Sequence, residues 1–176
     1  MKTYIIFGAI AVLAISGIVI SQNFSKISER LTGYEEVPAL STPGTGTFTA
    51  RIHGDSSVTY QLTFEATETP VTQSHIHFEN RTNNGPIVVF LCSNLGNGPA
   101  GTQACPANGG TISGTFDADD VLTAGTSGIA AGEFDELLAA MRAGATYVNV
   151  HTTGRPTGEI RSQIDLNPGF GHNDDH

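Results

Sequence analysis

The stretch Thr47–Ala66, TFTARIHGDSSVTYQLTFEA, decides the fold. Its apolar residues fall on every second position: Phe48, Ala50 and Ile52 before a polar break, then Val58, Tyr60, Leu62, Phe64 and Ala66 after it. Thr59, Gln61, Thr63 and Glu65 take the places between. A period of two sends successive side chains to opposite faces, so each run reads as a strand with one buried and one wet face. His53-Gly54-Asp55-Ser56-Ser57 is turn material, and the whole reads as an antiparallel hairpin.

Outward from this hairpin the same period recurs. Lys26–Thr32 precedes it as a first strand, and Gln73–Glu79 follows with Ile76 and Phe78 on alternate places. Pro86–Cys92, PIVVFLC, is apolar throughout and is expected at the centre of a sheet. Thr111–Phe116, Thr146–His151 and Gly158–Leu166 complete the strands. One segment changes period. Phe134, Leu137, Leu138 and Met141 stand at i, i+3, i+4 and i+7, which predicts a helix over Glu133–Ala143. Its acids (Glu133, Asp135, Glu136) come first and Arg142 last, as the helix dipole favours, and Gly144 is a natural stop. The expected fold is all-β: an antiparallel, Greek-key-like β-sandwich of about eight strands with one short crossover helix.

The ends of the chain read differently. Met1 and Lys2 lead into Tyr4–Ile20, which is 17 residues without a charge. Residues 1–21 therefore read as a secretion signal, cleaved before Gln22, or as an N-terminal membrane anchor. Residues 22–166 form the domain, and 167–176 an acidic, histidine-bearing tail expected to be disordered. The protein is expected outside the cytoplasm: secreted, periplasmic or on the cell surface, touching a membrane only through an uncleaved first segment. The net charge is −9; the first 21 residues hold one lysine and no acid, so their removal leaves −10. A domain of that sign is repelled by phosphate backbones, which argues against nucleic-acid binding. Its two cysteines, Cys92 and Cys105, are expected to form a disulfide in such a compartment, closing a Gly-, Pro- and Asn-rich loop.

No nucleophile elbow, phosphate loop, HExxH or EF-hand is present. The chemistry-bearing residues are histidines. His75 and His77 share one strand face, opposite Ile76 and Phe78; Tyr147, Asn149 and His151 share the polar face of a later strand. If those strands are neighbours, His75, His77 and His151 converge as three nitrogen ligands with an open position, a set suited to copper, with zinc the second choice. The plainer alternative is that they are structural histidines on a solvated face, bonded to Glu79, Asn149 or backbone, in a non-catalytic extracellular module that binds a surface partner. His53, beside a turn, reads as solvated. His172 and His176, with Asp174 and Asp175, offer a weaker cation site in the tail. Arg161, on the polar face of the last strand, is expected to form a salt bridge with Glu159 or with a neighbouring strand, rather than to guide an anion to a metal site.

Four segments together resemble the CHRD domain, a module named after its repeats in chordin. They are GYEEVP at 33–38, SHIHFENRTNNGPIVVFL at 74–91, AGATYVNVHT at 143–152 and RPTGEIRSQI at 155–164. The resemblance spans about Lys26 to Leu166 and implies a β-sandwich without a defined activity. Phe78-Glu79-Asn80 and Ser162 depart from its pattern, in which glycines are expected. In arrangement only, an H-x-H strand followed by a VxVH strand is similar to copper–zinc superoxide dismutase, which implies copper ligation by His75, His77 and His151. The bridging histidine, zinc loop and zinc aspartate of that enzyme have no counterpart here, so a mononuclear copper site follows rather than dismutase chemistry.

Overall fold

The computed structural model describes residues 26–166; the proposed signal or anchor and the tail with His172 and His176 lie outside them. The hairpin forms as its alternation predicts. β2 (Thr45–His53) and β3 (Ser57–Glu65) pair antiparallel, Phe48 opposite Leu62 and Ala50 opposite Tyr60. Phe48, Ala50, Ile52, Val58, Tyr60, Leu62 and Phe64 are all buried. Ala66 is the exception: the strand ends before it, and it is exposed with a φ of 55°.

The remaining strands are β1 (Lys26–Thr32), β4 (Val71–Phe78), β5 (Ile87–Ser93), β6 (Gly110–Phe116), β7 (Thr146–Thr152) and β8 (Ile160–Ile164), with one α-helix, α1 (Phe134–Arg142). All pairings are antiparallel, and the order is β5-β4-β7-β8-β1-β2-β3-β6. The eight strands thus make one continuous sheet rather than two hydrogen-bonded layers. Its terminal strands approach each other, so the sheet is nearly a barrel, and the sequence β4-β5-β6 with β3 beside β6 is a Greek-key order.

β5 is therefore an edge strand, not the central strand its apolar run predicts. It is fully apolar because its edge is covered on the chain's own terms. Leu122 N–H donates to the Val88 carbonyl, and Gln103 Nε2 donates to Leu91 O of β5, to Ser113 O of β6 and to the Tyr60 hydroxyl. The Cys92 and Cys105 sulfurs lie 2.01 Å apart and tie the same loop to β5. The helix turns Phe134, Leu137, Leu138 and Met141 into the one core shared by all strands, Phe134 meeting Phe116 edge-on. Among the described residues no helix is long and apolar enough to cross a membrane.

Candidate metal site

His75 and His77, two apart on β4, leave the strand on the side opposite Ile76. The β4–β7 register sets Gln73 opposite His151, His75 opposite Asn149 and His77 opposite Tyr147, and β8 continues the rows with Arg161 opposite Asn149 and Gln163 opposite Tyr147. The outer side of these three neighbouring strands was expected to be wet. It is dry. All seven residues of β7 are buried, and His75 and Arg161 have no exposed surface at all.

The roof consists of three loops. Residues 79–86 are held by Arg161, whose guanidinium donates to the carbonyls of Asn80 and Asn83 and to Asn84 Oδ1 while lying 3.4 Å from the centre of the Tyr147 ring. Residues 33–44 supply Glu36, which accepts from Asn149 Nδ2 at 3.0 Å, and join the first loop through the Arg81–Glu35 ion pair and an Asn84-to-Val37 carbonyl bond. Residues 153–159 bring the Pro156 carbonyl to His151. The expected Arg161–Glu159 pair does not form. The Glu159 carboxylate is already taken by Thr42 Oγ1, Thr152 Oγ1 and the Glu68 N–H, at 2.7–2.8 Å.

The three predicted histidines come together. One nitrogen from each lies within 4.8 Å of one from each of the others, and all three rings are buried. His77 Nδ1 is 2.9 Å from Gly85 O and His151 Nδ1 is 3.1 Å from Pro156 O. A carbonyl only accepts, so both Nδ1 atoms carry the proton and both Nε2 atoms present a lone pair. His151 Nε2 then accepts from His75 Nδ1 at 3.2 Å, which leaves His75 Nε2 a bare lone pair as well. His75 Nε2 and His77 Nε2 are buried with no hydrogen-bond partner. Phe90 stands edge-on to His75, ring centres 4.4 Å apart, and Tyr147 stacks on His77 at 4.7 Å. His53 is not part of this group. It is exposed, as expected, and its ring bonds to Thr59.

Burial dominates the electrostatics. It lowers His75 to about 2, with the positive forms of His151 and His77 adding to the effect. It lowers His77 to about 4 against the opposing bond to Gly85 O, and His151 to about 4 against the bond to Pro156 O. All three are neutral at ordinary pH, the form a metal requires. Burial acts on Glu36 in the opposite sense, raising it to about 7 although the Arg161 charge and the Asn149 bond pull it down. Glu36 and Phe90 were not singled out in the sequence; the GYEEVP segment at 33–38 holds the first and the SHIHFENRTNNGPIVVFL segment at 74–91 the second.

Ligands on one metal at 2.0–2.1 Å with tetrahedral angles stand about 3.4 Å apart, so three nitrogens within 4.8 Å of one another need to close by roughly an ångström. The donor set can hold a metal ion. Among the described residues no second group of histidines and acids adjoins it to hold a further ion, so the similarity to the copper–zinc enzyme stops at these three ligands. The CHRD domain family model matches residues 27–164. No curated protein and no solved structure matches the chain.

Proposed function

We propose that this chain, which belongs to the CHRD domain family, is an extracytoplasmic protein that holds one copper ion on His75, His77 and His151, with zinc as the weaker competitor. The observation that carries the reading is the pair of orphaned nitrogens. A buried acceptor without a partner costs about 1–3 kcal/mol, and here two of them sit in one cluster of three neutral imidazoles. The outer nitrogens of His77 and His151 are anchored on backbone carbonyls, the usual support of a metal-bound imidazole. Copper above zinc follows from the general order of divalent affinities. Export is supported by the charge-free run behind Lys2 and by the cysteine pair.

Equilibrium dialysis of the purified mature protein against copper, with metal analysis after chelation, tests this. One copper per chain is expected; His75→Ala and His151→Ala each weaken binding at least tenfold, and His53→Ala leaves it unchanged. No bound metal, or equal loss from all three variants, returns the histidines to a purely structural role in an interaction module.

A further inference from the structure

We infer that the His75–His77–His151 site selects monovalent over divalent copper, so that Cu(I) is its resident ion; this rests on the metal reading above. The ligand set contains three neutral side chains and no carboxylate or thiolate. A bound ion therefore keeps its whole charge, and the cost of holding charge away from water grows with its square. Water is nearly shut out: His75 is 0% exposed, His77 7% and His151 6%.

The surroundings do not supply the missing negative charge. Phe90 and Tyr147 present rings to His75 and His77. The acid that approaches, Glu36, is bonded to Asn149 and not to a histidine, and Arg161 on the Tyr147 ring sets a positive charge against it. A single charge costs far less in such a pocket than a double one.

Coordination number points the same way. Zn(II) closes a four-ligand shell and Cu(II) prefers a square set of nitrogen and oxygen donors, so three histidines leave both in need of water or an anion. Cu(I), filled in its d shell, is satisfied by two or three neutral donors. His75, His77 and His151, each offering one nitrogen within 4.8 Å of the others, make such a three-fold set.

The test is a set of competition titrations on the mature protein at pH 7.5: Cu(I) against bicinchoninate under argon, Cu(II) against nitrilotriacetate in air, and Zn(II) against a fluorescent chelator. A dissociation constant for Cu(I) on the order of 10³-fold below that for Cu(II) is expected, which raises the potential of the bound couple by about 180 mV over the free ions in the same buffer, at 59 mV per tenfold. Phe90→Glu, which sets a carboxylate beside His75, should shrink that ratio at least tenfold. Equal or tighter binding of Cu(II) or Zn(II) overturns the monovalent assignment and leaves the metal reading standing, as does a ratio that Phe90→Glu leaves unmoved. Absence of binding by any of the three ions overturns both.

Discussion

Lowering the pH of the metal-free protein tests the buried imidazoles directly. His75, His77 and His151 have folded values of about 2, 4 and 4 against 6.5 for the free side chain, so between these limits the unfolded chain binds more protons than the folded one. Stability then rises with pH: the contribution is complete above 6.5 and is lost as pH falls toward the folded values. From pH 7.5 to pH 5 each imidazole withdraws about 2 kcal/mol, about 6 kcal/mol for the three. Glu36 runs the other way. Its folded value of about 7 lies above 4.5, so its contribution is present below 4.5 and is lost as pH rises through 7. It returns about 2 kcal/mol over the same descent, leaving a net loss of roughly 4 kcal/mol, a large part of a small domain's stability. Urea unfolding at half-unit steps of pH, followed by far-ultraviolet circular dichroism, reads the slope. Glu36→Gln removes the opposing group, and its acid loss should be the steeper by about 2 kcal/mol. Stability that is flat or rising from pH 7.5 to pH 5 would refute neutral, desolvated rings.

Three further outcomes are expected. Replacing both cysteines by serine should cost about 3 kcal/mol, the loop-closure value for the 13-residue separation of Cys92 and Cys105, and two free thiols in the oxidised protein would exclude the bond. Gly158→Ala should cost about 2–3 kcal/mol and loosen metal binding, because Gly158 has a φ of 132° and a Cβ there would stand 2.7 Å from both Asn149 Nδ2 and Glu36 Oε1; an unchanged unfolding midpoint contradicts that packing. Mass spectrometry of native protein should find an N-terminus near Gln22, or the intact chain in the membrane fraction; full-length soluble cytoplasmic protein contradicts export.

Where one sheet face meets the core and the other meets water, alternation was enough to read the strand. β2 and β3 are of that kind, and β1 begins and ends where its pattern does. β5 misled because a continuous apolar run reports burial, and burial was supplied by Gln103, Leu122 and the cysteine loop rather than by strands on both sides. No local pattern announces which loop will lie on an edge. The same limit explains the single sheet: inward residues look alike whether the two halves of a core belong to one curled sheet or to two stacked ones.

The histidines were legible in number and in phase, but their dryness was not. On β7 the apolar Val148 and Val150 alternate with Tyr147, Asn149 and His151, which by rule marks a wet face, yet roofing loops make it a second interior. The composition of that interior is what singles it out. Among the described residues, the buried side-chain atoms without a partner are His75 Nε2, His77 Nε2, Thr146 Oγ1, Asn149 Oδ1 and Arg161 Nε; all five belong to β4, β7 and β8, and all but Thr146, which shares the core side with Val148 and Val150, face that interior. Elsewhere buried polar groups such as Glu159 are met in full, so the chain is able to satisfy its interior and does not do so here. Orphans spread at random would signify loose packing. Two of the five are imidazole lone pairs in a cluster whose ligand atoms lie within 4.8 Å of one another, a donor set that could hold a cation, and that concentration is what supports the metal reading proposed above.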